Sequence, residues 1–432
     1  MQFLFGIRKN ERQLYNVCDA LVVGNFVGKQ ALAAISSTGS LIFLLVGFFS
    51  GMFSGVGVVI SRFFGAKDDD MIRKSVGNAV AFSIAAGIVL SLVGVIFTPN
   101  LLQLMGTPDS VFTDAVNYVR TYFGGMIFIV IYNAANGIFQ AVGDSRHPLY
   151  YLLVSSITNV ILDFIFVAFF DMGVTGAAIA TVIAQAVSVF LAFWRLSHIN
   201  EIYRLNIKFI RFNPYIIKQM LFIGLPAGIQ NSVIALANVI VQSNINVFGD
   251  TAMAGCGSYS KIEGFAFIPI MAFSISMTTF ISQNLGAKQY ERAKSGARFG
   301  IITSCILAEI IGIIFYLFAP QLISLFNRDV DVIQIGSLQA HTITFFYFLL
   351  AFSHCLAGIL RGAGKSTIPM FTMLICWCVI RVTYITIMTH YFKNIQVIFW
   401  AYPMTWALSS SFFLFYYKQK NIFSNQVYEL KR

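Results

Sequence analysis

Residues 137–148 read GIFQAVGDSRHP, and residues 358–369 read GILRGAGKSTIP. Gly137, Ile138, Gly143, Ser145 and Pro148 return as Gly358, Ile359, Gly364, Ser366 and Pro369, each 221 positions further on. The same offset carries Ile60, Ser61, Gly65, Ala66 and Lys67 to Ile281, Ser282, Gly286, Ala287 and Lys288, and Asn25, Gly28, Ala31 and Ala33 to Asn246, Gly249, Ala252 and Ala254. Three separate stretches agree without a gap, so the chain is one unit written twice. Whatever the unit is, the molecule holds two of them.

Composition says what the unit is made of. The chain has 432 residues, 57% hydrophobic and only 11% charged, with a mean hydropathy of +0.76. A soluble domain is about a quarter charged, so this chain has more apolar side chain than a globule of its length can enclose, and the surplus faces lipid. Disorder is excluded for the same reason. A β-barrel needs short alternating segments, which are absent. The expected fold is an all-α polytopic membrane protein. A span of about 20 apolar residues plus its loop leaves room for about twelve transmembrane helices, the first one truncated, in two six-helix repeat lobes. Six is an even number, so both lobes enter the membrane in the same orientation. Parallel repeats of this kind build secondary transporters, with the substrate site near the bilayer midplane.

Residues 1–195 are expected to form the N-terminal lobe, 196–213 a cytoplasmic linker, 214–417 the C-terminal lobe and 418–432 a cytoplasmic tail. The net charge of +11 does not point to nucleic acid, because the basic residues sit in loops rather than on a patch. Arg62, Lys67, Arg73 and Lys74, the matching Lys288, Arg292, Lys294 and Arg298, the linker, and Lys418 all fall on one side; Lys29, Arg328 and Lys393 fall on the other. The positive-inside rule makes the first side, and the C-terminus, cytoplasmic. Cys18, Cys256, Cys305, Cys355, Cys376 and Cys378 are scattered without metal or disulfide spacing. The opening MQFLFGIRKNERQ has too short an apolar run for a cleavable signal.

Several runs together resemble the multidrug and toxic compound extrusion (MATE) transporters: NVCDALVVG (16–24), ISRFFGAKDD (60–69), QAVGDSRHP (140–148), NVILD (159–163) and GVTGAAIATVIAQ (173–185). The second half adds GLPAG (224–228), KIEGF (261–265) and SQNLGAK (282–288). The resemblance implies two lobes forming a V, alternating access, and export of drugs or other amphiphilic organic cations against inward H⁺ or Na⁺. It implies a monomer in a bacterial cytoplasmic membrane, with no cofactor. The alternatives are a flippase for a lipid-linked saccharide, which a basic cavity would favour, and a non-transporting truncated remnant. An enzyme is not expected, since no metal cluster, nucleophile elbow or phosphate loop is present.

An ionisable side chain inside a span costs about 2.5 to 3.5 kcal/mol on insertion scales, so each one needs a partner or a task. In the first six spans Asp19 and Asp163 are the deep acids. Asn159 lies four residues before Asp163, on the same helix face, and Thr181 adds a hydroxyl from the next span. Two carboxylates, an amide oxygen and a hydroxyl suit Na⁺, or protons, which a buried carboxylate holds more readily than an exposed one. The family resemblance places the cation site at these four positions, with Tyr118 as a neighbour. The bland alternative is that Asp163 pairs structurally, for instance with Arg120. The offset takes Asp19 to Ile240, Asn159 to Ile380, Asp163 to Tyr384 and Thr181 to Tyr402, so ion coupling is expected in the first lobe.

In the second lobe, Gln230, Asn231, Lys261 and Glu263 are candidates for the substrate cavity. Lys261 and Glu263 point about 200° apart on a helix and cannot simply pair with each other. Pro226 and Pro269 are candidate hinges. His341 and His354 are read as packing residues, whereas Glu309 and Arg381 stand alone in apolar runs with only a possible mutual pairing to explain them. Finally, the offset lays Phe5 on Pro226 and Arg8, Lys9, Glu11 and Arg12 on the middle of the seventh span. The first span is therefore expected to be short by two turns or more, either because its start was lost or misassigned and the missing part lies upstream, or because the helix is genuinely half-length.

Overall fold

The computed structural model describes residues 29–419 and residue 422. The first expected span, at about residues 13–27, lies outside them, and so does Asp19. The described residues are mostly helical, joined by short turns, with no strand among them. Ten of their helices are long and apolar enough to cross a membrane, or eleven if one bent pair is a single span. The chain is an all-α polytopic membrane protein. It divides into two compact units at Gly224/Leu225.

In the first unit α1 (Lys29–Ala66) ends where Lys67 takes a left-handed backbone, φ 55°. Asp68 then caps α2 (Asp69–Leu104), accepting the Met71 N–H at 3.1 Å. The run expected to be one span at 112–141 is broken into α3 (Asp109–Gly124) and α4 (Met126–Ala141), bent by 44°. The break is at Gly125, where any Cβ would collide with Val182; close packing sets the kink, and hydropathy does not register it. After α4, Gly143 adopts φ 83°, and Asp144 Oδ1 accepts the N–H groups of Arg146 and His147, which open α5 (Arg146–Asp163). Helix α5 runs on as a π-helical segment, Phe164–Phe169, and α6 (Gly173–His198) returns. The stretch after α6 carries a 3₁₀ turn, Ile207–Phe209, laid on α2, where Gly77 leaves room for the Phe209 carbonyl.

Helix α7 (Pro214–Asn246) begins in the first unit and ends in the second. There follow α8 (Asp250–Gly286), α9 (Tyr290–Leu317), the short α10 (Ala319–Ser324), and α11 (Val330–Ile343), which is joined through a 3₁₀ turn, Thr344–Phe346, to α12 (Tyr347–Gly362). Then α13 (Thr367–Met373), a π-helical segment Leu374–Ile380 and α14 (Arg381–Tyr391) form one broken span, and α15 (Gln396–Gln419) closes the unit. Pro226 and Pro269 both lie inside helices that continue through them.

The repeat is visible in the backbone. Lys288 ends α8 with φ 58° as Lys67 ends α1, and Gly364, φ 77°, matches Gly143. Helix α4 packs on α1 as α12 packs on α8. Gly137 meets the Phe53 carbonyl and Gly358 the equivalent Ser274 carbonyl, and neither contact leaves room for a Cβ. Small residues permit such backbone approach in lipid, where no hydrophobic force drives helices together. Each unit has its own apolar core. Exposed Ile88, Leu92 and Ile96 on α2, and Ile302, Ile306, Ile310 and Ile314 on α9, recur every fourth residue as stripes for lipid.

Candidate functional site

Helices α5 and α6 are clamped by polar contacts at successive turns. Ser188 donates to the Tyr151 carbonyl at 3.3 Å, Ser155 donates to the Ala184 carbonyl at 2.6 Å, and Asn159 Nδ2 reaches Thr181 Oγ1 at 3.4 Å. Ser155, Asn159 and Asp163 share one face because each is four residues after the last, and all three are fully buried. The first two contacts fix the helix pair; the third brings an amide and a hydroxyl together one turn before the Asp163 carboxylate. Thr181 spends its own proton on the Ala177 carbonyl at 3.1 Å, which leaves its oxygen as an acceptor. Asn159 Oδ1 accepts no hydrogen bond among the described residues, although a buried acceptor of this kind is normally satisfied. Oxygens from an amide, a hydroxyl and a carboxylate thus share one buried region, and the set fits a small hard cation. Asp163 is also the last α-helical residue before the π segment, a kind of irregularity frequent at functional sites. Tyr118 is buried on α3, stacked on Tyr122, and α3 packs against α6. Arg120 is exposed, with its Nε directed to the Val95 carbonyl.

The second-unit candidates are more dispersed. Gln230 is buried, its Nε2 on Met373 Sδ at 2.9 Å, while its Oε1 accepts nothing among the described residues. Asn231 is half-buried. Lys261 is exposed, with its Nζ over the Phe326 ring at 5.3 Å. Glu263 points elsewhere, its Oε1 3.5 Å from the Tyr259 hydroxyl, which in turn meets the Tyr347 hydroxyl at 2.9 Å. The two charges therefore face apart, as their spacing required. Glu309 does not pair with Arg381. It accepts the Phe348 N–H at 3.2 Å and so caps the start of α12 beyond the 3₁₀ break. His341 Nε2 meets the Tyr316 carbonyl at 3.0 Å beside a cavity of about 410 Å³, and His354 packs between Phe267 and Trp377.

The group that sequence reasoning left without a role is Arg381. Only 3% of it is exposed. Its Nε and Nη2 donate to Thr405 Oγ1 at 3.1 and 2.8 Å, and the guanidinium lies over the Tyr402 ring at 4.4 Å and the Trp377 ring at 5.4 Å. Trp377 Nε1 donates to Ser409, which also meets Ser353. No acid lies within ion-pair distance of Arg381 among the described residues; Glu263 is within electrostatic reach. An arginine in an apolar run signalled the site, but its partners are uncharged, and two of them, Tyr402 and Thr405, sit on the next span.

Among the described residues no group of three His, Cys, Asp or Glu side chains could hold a metal ion. A relative from Bacillus subtilis, the probable multidrug resistance protein YoeA, is 28% identical over 415 residues, covering 93% of this chain and 89% of its own. A second from the same organism, the probable multidrug resistance protein YpnP, is 26% identical over 377 residues, with 85% and 82% covered. The fold matches a crystal structure of MATE in the bent conformation with a TM-score of 0.88 at 21% identity, over 96% of this chain and 92% of that one. The family model MatE matches residues 12–165 and 226–387, and the chain belongs to the MatE family.

Proposed function

We propose that this protein exports drugs or other amphiphilic organic cations from the bacterial cytoplasm by alternating access, driven by inward flow of H⁺ or Na⁺. The export reading is supported by relatives named as probable multidrug resistance proteins. The coupling reading is carried by one observation: Asn159 and Thr181 in contact one turn from the buried Asp163, in the first unit, with an amide oxygen that accepts no bond there. Asp163, Asn159 Oδ1 and Thr181 Oγ1 are the cation-coupling ligands, Asp19 is a fourth, and Tyr118 is a neighbour. Gln230, Asn231, Lys261 and Glu263 serve the substrate side, and Pro226 and Pro269 are the bending points.

Magnitudes limit the stoichiometry. A charge crossing the membrane is worth about 2.3 kcal/mol per 100 mV. Exchange of one ion for one monovalent drug cation moves no net charge, so the voltage contributes nothing. Either the chemical ion gradient drives the exchange, or more than one ion moves, and Asp19 with Asp163 provides a carboxylate for each. Purified protein in vesicles, given an outward Na⁺ gradient or an outward H⁺ gradient separately, tests this. Uptake of a cationic dye against its gradient is expected with at least one of the two ions. Uptake that ignores both gradients would contradict ion coupling.

A further inference from the structure

In each unit the fifth span of the repeat packs on the sixth, α5 on α6 and α13 through α14 on α15. The first pair buries a carboxylate, an amide and a hydroxyl. The second buries a guanidinium on the Thr405 hydroxyl, and Thr405 lies 221 positions after Ala184, whose carbonyl Ser155 meets in the first pair. The same scaffold thus carries opposite charge in its two copies. Burying an arginine costs several kcal/mol unless its donors are used. Here Thr405 takes two of them and two rings cover the faces, yet Nη1 donates to nothing among the described residues and is not sealed from solvent-sized space. The negative charge nearest in effect, Glu263, sits outside ion-pair range, with its Oε1 near the Tyr259 hydroxyl. A cation and an anion are therefore held apart, each with unused capacity, among the rings of Trp377, Tyr402 and Tyr259.

We propose that Arg381 and Thr405, with Glu263 across from them, form a receptor for zwitterionic amphiphiles: the ligand's carboxylate docks on the guanidinium and its cationic centre faces Glu263. The geometry favours a carboxylate because a guanidinium offers a planar fork that matches two carboxylate oxygens. A purely anionic ligand would meet repulsion from Glu263, and a purely cationic one repulsion from Arg381. The aromatic faces supply the apolar and cation–π contacts an amphiphile needs.

This inference deepens the proposed export function, and its test separates the two. Two rhodamine dyes are used, one with a free carboxylate and one with that carboxylate as its ethyl ester; they share ring system and cation. Equilibrium binding to the full chain in nanodiscs is read by fluorescence anisotropy, which requires no transport. The wild type is expected to bind the free acid more tightly than the ester. Arg381→Gln and Thr405→Val are expected to weaken the free acid by about tenfold and about threefold, with the ester not weakened, and in Arg381→Gln bound more tightly because the repelling charge is gone. Glu263→Gln should weaken both dyes. Ester binding in Arg381→Gln and Thr405→Val reports that these variants are folded, thermal unfolding in detergent reports it for Glu263→Gln, and Arg381→Lys, which keeps charge but loses the fork, should retain part of the preference. Equal binding of the two dyes by the wild type would overturn the proposal, and so would equal loss of both in Arg381→Gln and Arg381→Lys, which would make Arg381 a strut between α14 and α15. If the ester binds but is never exported from gradient-loaded vesicles, the export reading fails while the binding preference still decides this site.

Discussion

Asn159 and Arg381 occupy the same span of the two repeats and make the same kind of contact, a side-chain hydrogen bond to a threonine on the following span. One leaves a bare amide oxygen beside a buried carboxylate; the other presents a cation held by aromatic faces. The backbones explain how one duplicated scaffold diverged. In the first unit the π segment follows Asp163, so Ser155, Asn159 and Asp163 stay in a regular α-helical row. In the second it precedes Arg381. A π turn takes up one more residue than an α turn, so the face presented after it changes, and Arg381 rather than Ile380 comes to α15. Duplication preserved the scaffold, and a shifted π turn changed which side chain the scaffold presents.

The largest effect should come from the close helix crossings, which the two units share but do not make equally tight. Gly358 sits on the Ser274 carbonyl, while Thr278 donates to its own carbonyl at 3.0 Å; Gly137 faces the small Gly57. Gly358→Val is expected to cost more than about 3 kcal/mol, or to prevent recovery of folded protein. Gly137→Val should cost less, as measured by thermal unfolding in detergent. Equal losses would mean that the two crossings are interchangeable.

Next come the polar groups that set the units apart. Asn159→Ala is expected to reduce gradient-driven dye uptake by about tenfold or more, an amide ligand lost from a buried site being worth about 1.5 kcal/mol or above. Tyr384→Phe, at the offset position of Asp163, should change uptake less than twofold, and a comparable loss there would place coupling in both units. The smallest effect should be that of Ser155→Ala. It removes one α5 to α6 contact and should lower stability by about 0.6 kcal/mol, the average for interhelical hydrogen bonds in membranes, with ion dependence intact.

Much of this was legible in the sequence. The 221-residue offset defined the repeat, and the backbone repeats it at Lys67 and Lys288 and at Gly143 and Gly364. The spacing of Asn159 and Asp163 gave a shared helix face because that helix is regular between them. Thr181 could be added because it lies on the adjacent span. Arg381 was visible as a charge, but its partners were not: a gap-free offset laid Asn159 on Ile380, one residue short, because a π turn leaves no mark on hydropathy. Glu309 was hidden for a different reason, since its partner is a backbone N–H at Phe348, 39 residues away. The bend at Gly125 depends on Val182 in another span, which no local pattern encodes.

The claim that ions are coupled through the first unit is tested most directly by Asp163→Asn beside Arg381→Gln, each reconstituted into vesicles with an imposed H⁺ or Na⁺ gradient and given the ester dye. Asp163→Asn is expected to bind the dye within about threefold of the wild type yet accumulate it no faster than protein-free vesicles, a neutral amide being unable to take up and release a proton or to supply the charge that holds Na⁺. Arg381→Gln should retain gradient-driven accumulation. An Asp163→Asn protein that accumulates dye at the wild-type rate, with undiminished dependence on the gradient, would contradict the account and place the ion elsewhere.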